Sequence, residues 1–418
     1  MENIIINGGK QLRGEIDVQG SKNSALPILA ACVVVDGISV IHNCPHLTDV
    51  DAAIKILEHI GCKVKRENHT LTVDSRSVSC YNIPTSLMHE MRSSIVFLGS
   101  IISRLGKAEL SLPGGCEIGL RPIDLHLSAF RALGVKIDES FGHLSCEAQL
   151  PLKAANISLS FPSVGATENI MLASVFSLGR TVILNAAREP EILDLASFLN
   201  KCGCCVKVEP EGTIVIDGVK KAHSAEHTVI SDRIVALTYM AAVGAAGGDV
   251  TLRKVDTSHF MSVNSVFEKA GCELYTKEDS IRIVSSGKLN CVRDIRTMPY
   301  PGFPTDAQAP VMAMLCKAKG TSVIVENIFE SRYKHVGELI RMGADIKVEG
   351  RVAIVDGVST LYGAHVESID LRGGSSLVVA GLAAKGKTFI SGVKHIDRGY
   401  EKIESCLRAV GAEIERGE

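Results

Sequence analysis

One short signature recurs six times along this chain and limits the folds open to it more than any other feature. Each time, a helix-like stretch passes through a glycine into a strand-like one: Leu57 to Gly61 to Val64, Phe130 to Gly134 to Ile137, Leu199 to Gly203 to Val206, Phe267 to Gly271 to Leu274, Leu339 to Gly343 to Ile346, and Leu407 to Gly411 to Ile414. The six glycines lie 73, 69, 68, 72 and 68 residues apart. Glycine suits the position because a helix that ends there needs a left-handed residue before the chain can turn into a strand. The next slot holds Cys62, Val135, Cys204, Cys272, Ala344 and Ala412, which reads as a small apolar core position and accounts for three of the cysteines.

Every unit carries a second stretch, rich in small apolar residues, that also runs to a glycine before a strand, at Gly37, Gly106, Gly179, Gly248, Gly320 and Gly386. A repeat of about 70 residues with alternating helices and short strands predicts an α/β protein. The period is too long for a solenoid, so several compact subunits closing around shared cores are expected, three to a half. Two domains also suit 418 residues.

Counted back from the second set of glycines, Lys22, Arg92, Arg233, Asp306 and Arg372 all fall 14 or 15 residues before the glycine, at the start of the same helix in different repeats. A second register lies after the strand, with Cys116 10 residues beyond Gly106, Arg332 12 beyond Gly320 and Arg398 12 beyond Gly386. Cations are unfavourable beside the positive end of a helix, so repeating them there predicts a compensating anion, and converging helix starts could bind one. Asp306 alone is also explained as an ordinary acidic helix entry. The net charge of −2, from 45 basic and 47 acidic groups, argues against a general nucleic-acid surface. Any anion must be met locally, which leads to a phosphorylated small molecule and no further.

Thirteen scattered cysteines suit a reducing compartment better than a disulfide framework. Cys202-Gly203-Cys204-Cys205 contains a Cys-x-x-Cys spacing but has no second pair at metal distance, so no metal site is expected there. The opening residues lack the basic-then-apolar pattern of a secretion signal, and charges or glycines break the apolar stretches before membrane-spanning length. The expectation is a cytoplasmic protein with no membrane association.

One cysteine stands apart. Cys116 sits in Pro113-Gly114-Gly115-Cys116-Glu117-Ile118-Gly119-Leu120-Arg121-Pro122, a glycine-rich segment five residues before an arginine. Glycines permit close backbone approach to a ligand, and a guanidinium nearby both lowers a thiol pKa and pairs with phosphate. Together with Ser21-Lys22-Asn23, Arg92, Ser163-Val164-Gly165-Ala166-Thr167, Arg188-Glu189-Pro190-Glu191, Phe303-Pro304-Thr305-Asp306 and His395-Ile396-Asp397-Arg398-Gly399-Tyr400-Glu401, this segment resembles the enolpyruvyl transferases that act on UDP-N-acetylglucosamine. The resemblance runs over essentially the whole chain.

The resemblance implies two inside-out α/β barrel domains, with helices inside and sheets outside. The first would span residues 20–231 and carry the cysteine loop; the second would combine 1–19 with 232–418, and the active site would lie in the cleft between them. It implies transfer of the enolpyruvyl group of phosphoenolpyruvate to the 3′-hydroxyl of UDP-N-acetylglucosamine through a tetrahedral ketal, with release of phosphate, as the first committed step of peptidoglycan synthesis. No cofactor or metal is implied. Cys116 would be the general acid to C3 of phosphoenolpyruvate and the target of an epoxide antibiotic, and Asp306 the base. Lys22, Arg121 and Arg398 would clamp the phosphate, with Asn23 beside them. Asn23, Arg92, Arg121, Pro122, Ile123, Asp124, Leu125, Ser163, Val164, Gly165, Asp306 and Ile328 would contact the nucleotide sugar. Arg332 and Arg372 match basic residues of the cleft, as ligand contacts or as salt-bridge partners. His126 and His395 read as loop-orienting residues.

Two places depart from the family pattern. Many members have a lysine where this chain has Phe161, and the family usually follows Asp-Arg-Ile with a glutamate and then, two residues on, a glycine, where this chain has Val235 and Leu237. Two other readings follow: a specialised or non-catalytic paralogue that binds the nucleotide sugar, and the related transferase acting on shikimate 3-phosphate. The latter does not use this cysteine loop.

Overall fold

The computed structural model describes residues 2–111, 123–140 and 142–417, and of Arg92 the backbone only. The described residues form two compact units, one within 20–230 and one made of 2–19 with 231–417. Cys116, Arg121 and Pro122 lie outside the described residues.

All six signature glycines adopt positive φ, between +85° and +109°, each directly after a helix. Cys62, Cys204 and Cys272 are buried next to them, and burial pushes their thiols up to about 12, 11 and 11. Cys202 and Cys204 are buried while Cys205 is exposed, so that spacing gathers no metal site, and no disulfide joins any of the described cysteines.

The centre of each unit is three helices of small apolar residues. In the 20–230 unit these are Lys22–Val34, Phe97–Leu105 and Val164–Ser174; in the other they are Arg233–Ala246, Thr305–Leu315 and Leu371–Ala383. Nearly every residue of these helices is buried, because a helix apolar all round can be satisfied only when surrounded. Close approach needs small residues: a Cβ on Gly99 would sit 2.4 Å from the Asn169 carbonyl, and one on Gly244 2.4 Å from Met314 Sδ.

Six four-stranded sheets among the described residues enclose these helices, three per unit. Their strands alternate buried and more exposed positions, as in His143–Glu147, so one face meets the core and the other meets solvent. All six share one topology: an edge strand parallel to its neighbour, that neighbour antiparallel to a third strand, and the third antiparallel to the fourth. The parallel strand comes from the preceding repeat, which closes each set of three into a ring. Glu226–Thr228 returns to Ile38–His42 in one unit; in the other, Leu12–Asp17 pairs with Gly248–Arg253, and Asn3–Asn7 lies between Lys387–Ser391 and Glu413–Gly417. This is the inside-out α/β architecture. No helix among the described residues is long and apolar enough to cross a membrane.

Val235 and Leu237 are fully buried in the core of the second unit, on the central helix Arg233–Ala246. Apolar packing replaces the carboxylate and the glycine that the family pattern places there.

Candidate active site

In the 20–230 unit, Lys22 and Asn23 open the first central helix, and Ser21 caps it by accepting from Ser24 N at 3.3 Å. Lys22 is buried at the positive helix end, and its Nζ donates to Asp49 Oδ2 at 3.2 Å, an ion pair with both side chains almost wholly out of water. The anion demanded by a cation at a helix start is therefore supplied by the protein itself. The same turn is fixed from behind: Asp194, buried, accepts from Ser24 Oγ, from His227 Nε2 at 2.8 Å and from Ile230 N at 3.2 Å.

A second group in this unit gathers around the helix Val164–Ser174. Ser163 caps it through Ala166 N at 3.3 Å, and Val164 and Gly165 form its first turn. Asp124 and Leu125 open the helix Asp124–Ala132, preceded by Ile123, with Asp124 exposed. The two helix starts meet at His126, whose Cε1 would lie 3.3 Å from a Cβ on Gly165 and whose Nδ1 accepts from Asn169 Nδ2 at 2.9 Å. Burial pushes His126 down to about 4, so it is neutral and fixes position rather than exchanging protons. Arg92 begins the short 3-10 turn Arg92–Val96. Deeper on Val164–Ser174, Glu168 is buried, and desolvation, then Glu191 and Glu189, hold its carboxyl well above the usual range.

In the second unit the site centres on Asp306, in the first turn of Thr305–Leu315. Arg332 Nη2 donates to its Oδ1 at 2.6 Å and Arg372 Nη2 to its Oδ2 at 2.9 Å. Both arginine side chains are 4% exposed, whereas the carboxylate keeps 27%. Arg372 also donates to Tyr400 OH at 3.0 Å, and Tyr400 in turn bonds Ser375 and Thr238. Burial works against the Arg372 charge, but Asp306, Tyr400 and Asp232 outweigh it, leaving the pKa above the ordinary arginine value. Asp370 and Asp232 cap their helices, each with Oδ1 accepting two backbone N–H groups at 2.9 to 3.0 Å. At Ser21, Ser163, Asp232 and Asp370 the cap side chain takes one or two N–H groups of the first turn. Arg398 lies half-buried on the loop after the turn Val393–His395, with Asp397 held by Arg416.

Glu326, which the sequence gives no reason to single out, organises this side. One oxygen accepts from Thr297 Oγ1 at 2.9 Å, Ile328 N at 2.8 Å and Phe329 N at 3.0 Å, and the other from Thr305 Oγ1 at 2.9 Å. It thereby locks Ile328 and the start of the Asp306 helix together. Asp49 and Asp194 are likewise missed, because each reads as an ordinary acid near a helix start. Prolines inside two central helices give a further parallel. Pro27 and Pro310 cannot donate to the carbonyl four residues back, which belongs to Asn23 in one helix and Asp306 in the other.

The structure thus brings Lys22 and Asn23 together, then Ile123, Asp124, Leu125, Ser163, Val164 and Gly165 around His126, and, in the other unit, Asp306, Arg332 and Arg372 with Ile328 tied to the same helix start. His126 also carries a stability prediction. Its pKa falls from 6.5 in the unfolded chain to about 4 in the fold. Its contribution is therefore fully present above pH 6.5 and is lost as pH falls toward 4, an effect of about 3 kcal/mol. Urea midpoints measured from pH 7 to pH 4 should fall accordingly, with His126→Gln showing a flatter profile. Equal slopes for the two proteins would remove His126 from the acid response.

A sequence model of the EPSP synthase (3-phosphoshikimate 1-carboxyvinyltransferase) family matches residues 6–407. A protein of Caldanaerobacter subterraneus subsp. tengcongensis named UDP-N-acetylglucosamine 1-carboxyvinyltransferase 2 is 52% identical over 98% of both chains. A Finegoldia magna protein named UDP-N-acetylglucosamine 1-carboxyvinyltransferase is 45% identical over 100% of this chain and 99% of its own. Among solved structures, the enolpyruvyl transferase NikO from Streptomyces tendae superposes with a TM-score of 0.89 at 24% identity, covering 99% of this chain and 98% of that one. An EPSP synthase from Acinetobacter baumannii superposes with a TM-score of 0.75 at 18% identity over the full length of both. These two likenesses bear on the fold.

Proposed function

Since the chain belongs to the enolpyruvyl transferase family represented by EPSP synthase, we propose that it transfers the enolpyruvyl group of phosphoenolpyruvate to the 3′-hydroxyl of UDP-N-acetylglucosamine and releases phosphate. The observation that carries the choice of acceptor is the identity of 45–52%, over nearly whole chains, to relatives named for that nucleotide sugar. The reaction would begin peptidoglycan synthesis in the cytoplasm.

In this reading Cys116 gives a proton to C3 of phosphoenolpyruvate while the sugar oxygen bonds to C2, and the hydroxyl proton passes to the Asp306 carboxylate. The resulting ketal collapses when the C2–O bond to phosphate breaks and C3 gives up a proton. Lys22, Arg121 and Arg398 hold the phosphate as its charge develops, which costs little reorganisation when they are fixed beforehand. The Lys22–Asp49 pair supports this role, since Asp49 lies 3.2 Å from the buried Nζ and fixes its direction. Asn23, Arg92, Arg121, Pro122, Ile123, Asp124, Leu125, Ser163, Val164, Gly165 and Ile328 receive the nucleotide sugar. Arg332 and Arg372 act first as partners of Asp306, holding both of its oxygens until substrate arrives.

Phosphate release from the purified protein with phosphoenolpyruvate is expected only when UDP-N-acetylglucosamine is added. Shikimate 3-phosphate should not substitute. Release with shikimate 3-phosphate would overturn the acceptor, and nucleotide-sugar binding without any release would overturn the catalytic role.

A further inference from the structure

The loop Asp397–Glu401 carries Arg398 and is held at nearly every residue. Arg416, on the strand Glu413–Gly417, makes a two-pronged ion pair with Asp397 and also meets Glu404 at 3.1 Å. Tyr400 is buried, with its hydroxyl bonded to Arg372, Ser375 and Thr238. The remaining two backbone positions are taken by one side chain from far along the sequence. Gln19 Nε2 donates to Gly399 O at 3.2 Å, and Gln19 Oε1 accepts from Glu401 N at 2.8 Å.

A carboxamide meets both demands with its two arms. One arm must donate to a carbonyl and the other must accept from an N–H, which excludes a carboxylate at the first position and an ammonium at the second. The two bonds also fix which arm is nitrogen. Gln19 is anchored in its turn. It follows the strand Leu12–Asp17, its neighbour Val18 donates to Arg253 O at 3.1 Å, and its own carbonyl accepts from Asp232 N at 2.8 Å. A fixed backbone at residue 19 therefore holds the backbone on either side of Tyr400.

We infer that Gln19 is a positioning residue for Arg398: by bridging Gly399 O and Glu401 N it sets the path of the loop, and so the direction in which the guanidinium leaves it toward phosphoenolpyruvate. This rests on the reading of Arg398 as a phosphate clamp. Gln19 itself touches no substrate; it acts through the loop.

The test is a double-mutant cycle on the full-length protein, read by phosphate release with each substrate varied in turn. Gln19→Ala is expected to raise KM for phosphoenolpyruvate about tenfold, the size expected when one or two ordinary hydrogen bonds cease to hold a residue. KM for UDP-N-acetylglucosamine should stay within about twofold. Arg398→Ala should lower kcat/KM for phosphoenolpyruvate further, and the double variant should be no worse than Arg398→Ala alone, because both changes remove one function. Gln19→Glu, nearly the same size, keeps the acceptor and loses the donor; it should also raise that KM, and it serves in place of Gln19→Ala if the alanine protein does not fold. An unchanged KM for phosphoenolpyruvate in both Gln19 variants, while Arg398→Ala does raise it, overturns this inference and leaves the clamp intact. Losses that multiply in the double variant also overturn it. An Arg398→Ala protein with wild-type kinetics removes the clamp and this inference together.

Discussion

Asp306→Asn is expected to lower kcat by about 10³-fold or more, within the range associated with a positioned base, and to leave UDP-N-acetylglucosamine binding within a few-fold of wild type. The amide keeps the shape and one acceptor, so what is lost is the charge that, in the proposed reaction, receives the hydroxyl proton. The same change should destabilise the fold. Arg332 and Arg372 are each almost wholly buried against this carboxylate and would lose their counter-charge together. The cost should fall below the ~3–5 kcal/mol of a fully buried pair, because Asp306 itself keeps some exposure to water. The two effects separate in a double variant: adding Arg332→Gln should recover much of the stability and none of the turnover. Turnover within tenfold of wild type in folded Asp306→Asn would exclude this residue as the base.

Cys116→Ala is expected to lower turnover by about 10²–10⁴-fold while nucleotide-sugar binding survives, since in the proposed reaction the thiol acts on the other substrate. Cys116→Asp should retain part of the activity, because a carboxylic acid can also donate the proton, yet should resist the epoxide antibiotic. The other thiols give this experiment its clarity. Burial raises the pKa of Cys32, Cys62, Cys146, Cys202, Cys204, Cys272, Cys316 and Cys406, which disfavours the nucleophilic thiolate. Peptide mass spectrometry after treatment should find one adduct, on the Cys116 peptide. An adduct persisting in Cys116→Asp would place the reactive thiol elsewhere, with exposed Cys205 the first to examine.

The repeat was legible because its cause is local. A glycine with positive φ at a helix end, followed by a small core residue, must recur wherever the same turn recurs, and it does so at Gly61, Gly134, Gly203, Gly271, Gly343 and Gly411. Helix starts at Lys22, Arg233 and Thr305 were legible for the same reason. What stayed hidden are pairings set by the closed ring. Asp49 meets Lys22 across 27 positions, Arg372 meets Asp306 across 66, and Gln19 meets Glu401 across 382. No local pattern marks such partners. Pro27 and Pro310 point the other way, since the usual rule would end a helix at each, yet both helices continue within their apolar bundles. Arg332 and Arg372 were open between ligand contact and salt bridge; the structure places both against Asp306.

The strand Asn3–Asn7 has a consequence for synthesis on the ribosome. Its partners are Lys387–Ser391 and Glu413–Gly417, so at elongation rates of about 5–20 residues per second its pairing must wait roughly 20–80 s after it is made. The 20–230 unit needs no residue beyond Ile230 and can close during that wait. Throughout it, the sticky run Ile4-Ile5-Ile6 stands outside the exit tunnel as an unpaired, β-prone segment. Until Lys387–Ser391 and Glu413–Gly417 have been made, the partner strands of those residues cannot shield them from neighbouring nascent chains.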